Sequence, residues 1–148
     1  MFLDPFGMQT SWSTVEPLAA TQAVDLWYLF PLGQGLSRLL PRDRPPDEQN
    51  AACVTRVLGT DTWRQEFYQS QRRRGLFGDL EGWERQAGYD ELKAFLVNRL
   101  RSIFVEVAPQ PLELRNSKNT PLFLLCFAAS NPKGARTAVK IASHLLTR

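Results

Sequence analysis

The sequence is poor in the residues from which metal and redox sites are built. Its 148 residues include two cysteines, Cys53 and Cys126, and one histidine, His144. The cysteines lie in separate apolar segments and form no C-x-x-C pair, so we expect both to be buried, reduced thiols. No transition-metal centre is expected, because such a centre needs several His or Cys ligands at short spacing.

Long hydrophobic runs and a secretory leader are also missing. The longest apolar run, residues 26–32, is far shorter than the roughly 20 residues that cross a bilayer. The first residues carry Asp4 and Pro5 and no basic segment, so no signal peptide is predicted. We therefore expect a soluble protein of the reducing cytoplasm that has no membrane partner.

The residues that are present predict one folded domain covering residues 1–148. This length suits a single domain, and nine Phe and four Trp residues can supply its core. The net charge of +3 permits a nucleic-acid partner without requiring one.

Apolar segments of strand length alternate with amphipathic segments, which predicts an α/β layered sheet with parallel strands. Strands are predicted at residues 1–3 and 23–32, both buried, and as a terminal pair at 105–115 and 121–130. The terminal pair is joined either as an antiparallel hairpin or by a longer connection. Helices are predicted at residues 12–21, 47–58, 60–70, 89–104 and 135–147, so that residues 47–104 form a helical insertion. The Gly-, Pro- and Arg-rich residues 33–46 and 71–88 predict loops.

The sequence Asp-Pro-Phe-Gly directly follows the first predicted strand. In open α/β sheets, ligands bind outside the carboxyl ends of the strands. There the proline can direct the Asp carbonyl and carboxylate into the crevice, and the aromatic ring can stack on a flat substrate. The alternative is an ordinary strand-to-helix turn in which Asp4 caps Gly7 and Met8. Hereafter the DPFG segment denotes Asp4, Pro5, Phe6 and Gly7.

The DPFG segment resembles the fourth motif, Asp/Asn-Pro-Pro-aromatic, of S-adenosylmethionine-dependent methyltransferases that methylate amines. It is also similar to the Asp-Pro-Phe-Gly of the tRNA guanine-N2 dimethylating enzymes. Over nearly its whole length the chain resembles the carboxyl half of the three-Cys-motif partner protein family (TcmP). The segments that carry this resemblance are FLDPFGMQTSW, VDLWYLFPLGQGLSRLL, LGTDTWRQEFY, LFG and LRNSKNTPLFLLCFAASNPKGARTAVKIASHLL.

The resemblance implies a partial Rossmann-like sheet of the class I methyltransferase type, with strands in the order 4-5-7-6 and flanking helices. It places the whole DPFG segment in the catalytic site. There Asp4 would accept a hydrogen bond from the exocyclic amine of a nucleic-acid base, Pro5 would shape the turn and Phe6 would stack on the base. The sequence has no G-x-G-x-x-G turn. We therefore expect S-adenosylmethionine to bind only with a complementing amino-terminal half, and the isolated chain to be inactive.

A non-catalytic function is the alternative. In this half-sheet the first strand would be an unpaired apolar edge, and such edges pair with strands of other chains. The protein would then be a binding or assembly module, which forms a homo-oligomer or docks to a separate complementing chain through its first strand.

Several basic residues are candidate contacts for a substrate or a nucleic acid. Each of them also has a simpler explanation, as a solvated loop residue or as part of a helix start. Three of them form a cluster near aromatic residues, a combination that suits nucleic-acid binding. The candidates are Arg38, Arg72, Arg73, Arg74, Lys118 and Lys133. Trp63 and Trp83 are expected to pack against the protein rather than to stack on a ligand.

Overall fold

A computed structural model describes residues 1–75 and 78–147, and for residues 71–75 and 78–81 it describes the backbone alone. This part of the chain has a mixed α/β fold with one five-stranded sheet and one two-stranded ribbon. The strands are β1 (Phe2–Leu3), β2 (Asp25–Phe30), β3 (Tyr68–Gly75), β4 (Gly78–Arg85), β5 (Glu106–Val107), β6 (Leu112–Arg115) and β7 (Pro121–Ala129). The α-helices are α1 (Trp12–Ala20), α2 (Ser37–Leu39), α3 (Glu48–Leu58), α4 (Trp63–Phe67), α5 (Tyr89–Arg101) and α6 (Ala135–Leu146). Among these described helices, none has both the length and the apolar character that crossing a bilayer requires.

The five-stranded sheet has the order β1-β2-β7, with β5 and β6 both pairing with the far side of β7. The β1–β2 pair is parallel, and all pairs that involve β7 are antiparallel. The prediction of parallel strands is confirmed for β1 and β2, and the predicted alternative of an antiparallel hairpin is confirmed for β6 and β7. The connection at residues 116–120 is short, and a tight connection between neighbouring strands forces them to run in opposite directions. The antiparallel pairing of β2 with β7 differs from the expected parallel sheet.

The sheet is covered by helices on both faces. Because side chains alternate along a strand, β2 and β7 each contribute to two hydrophobic clusters. The larger cluster joins Leu26, Tyr28 and Phe30 to buried residues of α1, α3, α4 and α5. The smaller cluster joins Phe127 and Ala129 to α6. The resulting three layers place the carboxyl ends of β1 and β2 at one end of the sheet.

Burial in the larger cluster also determines the state of one thiol. Desolvation raises the pKa of Cys126 to about 12, so its thiol stays protonated at neutral pH and behaves as an apolar core group. Cys53 on α3 is only half-buried, and the expectation that it would be buried is wrong, because other residues of the helix, Ala51, Val54, Val57 and Leu58, form its buried face.

The predicted helix boundaries are confirmed where local signals specify them. The Ser11 side chain accepts a hydrogen bond from the Ser13 amide at the start of α1, and Asp47 accepts one from the Asn50 amide at the start of α3. Gly59 ends α3 in a left-handed conformation, with φ of 68°. Such capping interactions depend on residues within one turn, so the sequence alone reveals them.

Two predicted loops are wrong. Residues 32–36 form a π-helical turn, in which the Leu36 amide donates to the Pro31 carbonyl at 2.9 Å, and the turn continues into α2. Residues 68–75 and 78–85 form the antiparallel β3–β4 ribbon. The predicted helix over residues 60–70 is therefore also wrong at residues 68–70, and the insertion is not wholly helical. The ribbon escapes prediction because its Gly-rich, polar sequence lacks the apolar alternation by which half-buried strands are recognised.

The two outer edges of the five-stranded sheet differ. β1 is an edge strand, as predicted, and no other described strand pairs with its outer side. Phe2 is 60% exposed there, so the prediction of a buried strand is wrong at this residue. The opposite edge is made of β5 and β6, which are separated by a segment that contains Pro109 and Pro111.

Candidate functional site

The DPFG segment leaves the sheet at the carboxyl end of β1, beside the carboxyl end of β2. Gly7 adopts a positive φ of 62°, which glycine reaches without steric cost and which turns the chain away from the sheet. The following residues are held by α3, because the Arg56 guanidinium donates to the Met8 and Gln9 carbonyls at 2.8 and 3.1 Å. The segment is thereby fixed at both of its ends.

The segment forms one side of a cleft of about 390 Å³. The opposite side comes from the exit of β2, the π-helical turn, α2 and the first half of β7. The lining residues are Asp4, Pro5, Phe6, Gly7, Pro31, Gln34, Arg38 and Phe123. This cleft, hereafter the DPFG cleft, lies where open α/β sheets usually bind ligands.

The lining of the DPFG cleft combines apolar rings with a few polar groups. Pro31, Phe6 and Phe123 offer flat or rigid apolar surface, and the Phe6 ring is 87% exposed. The Asp4 carboxylate accepts hydrogen bonds, whereas the Arg38 guanidinium only donates them. The cleft can therefore hold a flat ring that carries an amine at one position and an anionic group at another.

The structure brings five of the predicted site residues together. The four residues of the DPFG segment and Arg38 all line the same cleft. Within the described residues 1–75 and 78–147, the Asp4 carboxylate accepts no hydrogen bond. Capping of the turn at Gly7 and Met8 therefore does not account for the carboxylate.

The two predicted lysines do not line the cleft. Lys118 lies in the β6–β7 turn, where its backbone amide donates to the Asn116 side chain at 3.0 Å. That turn is at the same end of the sheet as the cleft. Lys133 is at the opposite end, because β7 runs antiparallel to β2 and its last residue, Ala129, pairs with Asp25.

The predicted basic cluster cannot be placed in the site. Arg72, Arg73 and Arg74 belong to β3, and their side chains lie outside the part of the chain that the structure describes. Their assignment as nucleic-acid contacts stays a prediction.

Sequence reasoning missed three residues of the cleft, Pro31, Gln34 and Phe123. Pro31 and Gln34 could have been found, because they follow β2 as closely as the DPFG segment follows β1. Phe123 had no such signal. It reaches the cleft only because of the register of β7 against β2, in which Leu124 pairs with Phe30.

Comparisons of the chain with protein-family models, with curated proteins and with solved structures found no match in any of the three. Within the described residues, no group of three or more His, Cys, Asp or Glu side chains is arranged to hold a metal ion.

Proposed function

We propose that the DPFG cleft binds the methyl acceptor of a class I methyltransferase-like protein, and that the acceptor is an amine-bearing base of a nucleic acid. The observation that carries this proposal is that the four residues of the DPFG segment form a cleft with Arg38 at the carboxyl ends of a parallel strand pair. Arg38 is far from the DPFG segment in sequence, so the fold itself brings these residues together in the cleft.

The strand order supports the proposed fold. A class I methyltransferase-like sheet contains the half-order 4-5-7-6. In this order the last strand of the chain, strand seven, lies between strands five and six. Here β1 and β2 correspond to strands four and five, and β7 to strand seven. The short strands β5 and β6 together correspond to strand six. The resemblance to the three-Cys-motif partner family would place the chain as the carboxyl half of that fold.

The described residues do not by themselves fit S-adenosylmethionine. The DPFG segment leaves β1 at an edge that no other described strand covers, whereas ligands of such sheets occupy a crevice between neighbouring strand ends. We assign the second wall, and with it the cofactor, to a complementing amino-terminal half. No chemical step of this chain is derived through the cofactor.

The residues of this chain would bind and orient the acceptor. Phe6 would stack on the base, and the Asp4 carboxylate would accept a hydrogen bond from the exocyclic amine and so fix the direction of its nitrogen lone pair. Arg38 would hold the phosphate of the nucleotide through charge-assisted hydrogen bonds. Positioning of this kind accounts for much of the rate in reactions between two bound partners.

We expect the full chain to bind guanosine monophosphate more tightly than inosine monophosphate, which lacks only the exocyclic amine. Arg38→Ala should weaken binding of both nucleotides by about tenfold, because it removes a charge-assisted contact. Asp4→Asn should reduce the preference for guanosine monophosphate by about two- to tenfold, the range of one hydrogen bond. Isothermal titration calorimetry measures each affinity.

Two matched variants control for loss of charge. Lys133→Ala and Asp25→Asn each change an exposed charged residue at the far end of the sheet, and both should bind as the unmodified chain does. Equal affinity for the two nucleotides, or equal losses in Arg38→Ala and Lys133→Ala, would contradict the assignment of the cleft.

The exposed edge of β1 favours a second function, docking to another chain. The Trp27 amide donates to the Met1 carbonyl at 2.9 Å, and Phe2 pairs in register with Trp27. In a parallel ladder this pattern directs the Phe2 amide and carbonyl away from β2. The outer side of β1 therefore offers both an exposed ring and free backbone groups to a further strand.

If β1 joins two copies of the chain, light scattering after size exclusion should find a dimer at tens of micromolar. Phe2→Lys should then yield a monomer, because lysine on an edge strand opposes further pairing. Ile141→Lys is the matched control, since Ile141 on α6 is also 60% exposed, and it should leave the dimer intact. A monomeric unmodified chain at that concentration would rule out pairing between copies.

A further inference from the structure

A second concave site, separate from the DPFG cleft, lies between α4 and the base of the β3–β4 ribbon. It is a pocket of about 210 Å³. Its lining residues are Pro45, Trp63, Arg64, Tyr68 and Trp83. We refer to it as the aromatic pocket. Nothing in the proposed function of the DPFG cleft accounts for it.

The polar groups of two of the aromatic rings are bonded within the protein. The Trp63 indole N–H donates to the Thr55 hydroxyl at 3.0 Å, and the Tyr68 hydroxyl donates to the Pro41 carbonyl at 2.8 Å. These bonds fix both rings, which are buried and form the rigid floor beneath the more exposed lining residues. Trp63 thus packs as predicted, with no exposed surface.

Trp83 differs from the sequence prediction. The expectation was that it would pack, yet its side chain is 50% exposed at the mouth of the pocket. The half-exposed ring of Trp83 offers a face on which a flat ring can stack, and the buried rings of Trp63 and Tyr68 form the floor beneath it. The misprediction has a physical reason, because the ribbon that carries Trp83 was itself not predicted.

Arg64 supplies one cation to the lining of the aromatic pocket. The Arg64 guanidinium lies 4.8 Å from the centroid of the Trp63 ring, at the distance of a cation–π contact. Arg42 and Arg44 are exposed residues of the loop that leads into Pro45, and Asp43 is the acidic residue among them. An exposed tryptophan face beside an arginine of the lining suits a nucleobase that is attached to a phosphate backbone.

We propose that the aromatic pocket is a stacking site for a base of a single-stranded nucleic acid, which also supplies the acceptor base to the DPFG cleft. The link between the two sites rests on the proposed function, whereas binding at the pocket does not. Arg38 of the cleft and Pro45 of the pocket are seven residues apart, a separation of at most about 25 Å. One strand of several nucleotides can therefore occupy both sites.

A proline-rich peptide is the other ligand for which aromatic grooves are suited. Charge favours the nucleic acid, because a polyanion gains from Arg64 in the lining, and from the exposed Arg42 and Arg44 in the loop before Pro45, what an uncharged proline helix does not. The experiment therefore includes a proline-rich peptide as a competing ligand.

The test is titration of the full chain with a single-stranded oligonucleotide, with tryptophan fluorescence as the readout. A length of about 12 nucleotides lies within the range of known single-strand sites. We expect quenching, because Trp83 is the tryptophan that is half-exposed. An abasic oligonucleotide of the same length, which keeps the phosphates, should bind more weakly. Trp83→Ala should weaken binding at least about fivefold and Trp83→Phe much less, because a stacked ring accounts for the affinity.

Two controls separate stacking from charge. Arg64→Gln should reduce the slope of log affinity against log salt concentration by about 0.7 if it contacts one phosphate, whereas Arg136→Gln on α6 should leave the slope unchanged. Binding of Trp83→Ala is followed by fluorescence anisotropy of a labelled oligonucleotide, and circular dichroism verifies its fold.

The proposal is overturned if the abasic strand binds as tightly as the oligonucleotide. It is also overturned if Trp83→Ala binds the oligonucleotide as tightly as the unmodified chain does. A third contradicting result would be quenching by the proline-rich peptide and not by the oligonucleotide. Loss of nucleotide binding at the DPFG cleft with retained oligonucleotide binding at Trp83 would instead refute the proposed function and leave the aromatic pocket standing. The two ideas can therefore fail separately.

Discussion

Trp63→Ala is expected to lower the free energy of unfolding by about 3–5 kcal/mol, the usual cost of deleting a large buried aromatic side chain. Trp63 is fully buried, and its ring centroid lies 6.4 Å from those of Phe67 and Tyr68. The substitution leaves a cavity at the junction of α4 and the ribbon and removes the hydrogen bond to Thr55. Urea denaturation, followed by circular dichroism, measures the loss.

Trp83→Ala is the matched control for this prediction. It removes the same side chain from a position that is 50% exposed, and the stability should change by about 1 kcal/mol or less. If both variants lost the same stability, Trp63 would not be the packing centre that its burial implies.

Gly33→Ala is expected to destabilise the fold by about 3 kcal/mol, at the upper end of typical overpacking costs. A Cβ atom at this position would lie 2.0 Å from the Pro121 carbonyl oxygen and 3.1 Å from its carbon. These atoms belong to β7, whose backbone is held by pairing with β2, β5 and β6, so they cannot easily move aside. Thermal and urea unfolding both report the change.

The same substitution should also lower the apparent affinity for nucleotide in proportion to the fraction of chains whose turn stays correctly folded, because Gln34 and Arg38 follow Gly33 in the turn and α2. Gly134→Ala is the control. An added Cβ there meets no heavy atom within 4 Å, and the stability should change by about 0.5 kcal/mol or less. A Gly33→Ala variant as stable as Gly134→Ala would contradict the close packing of the turn against β7.

The sequence was informative wherever the signal is local. The start of α3 at Asp47 and its end at Gly59 depend on residues within one turn, and the run before Pro31 is apolar on both faces of a central strand. The position of the DPFG segment at a strand end was also visible, because strand and turn are adjacent in the chain. Arg38 was predicted as a site residue by the same reasoning, because it lies shortly after the end of β2.

The rest of the site depends on long-range pairing that no local pattern records. Phe123 enters the cleft through the register of β7, and Lys133 is excluded from it because β7 reverses direction. Trp83 was misjudged for a related reason, since a polar, Gly-rich ribbon pairs through its backbone and leaves little hydrophobic periodicity. Composition therefore identified the candidate residue types, and topology decided which of them meet.

The unequal edges of the five-stranded sheet limit how large an assembly it can build. Along β5 and β6, Pro109 and Pro111 have no amide hydrogen to donate, the register shifts after Leu114, and the Glu113 carboxylate is engaged by the Lys93 ammonium at 2.6 Å. Such features oppose the addition of a strand, whereas β1 carries none of them.

Growth of a fibre by sheet extension needs two receptive edges on every subunit, and this sheet has one. Association through β1 therefore ends once that edge is matched. The proposed association would then be one-to-one, whether the second member is another copy of the chain or a different polypeptide.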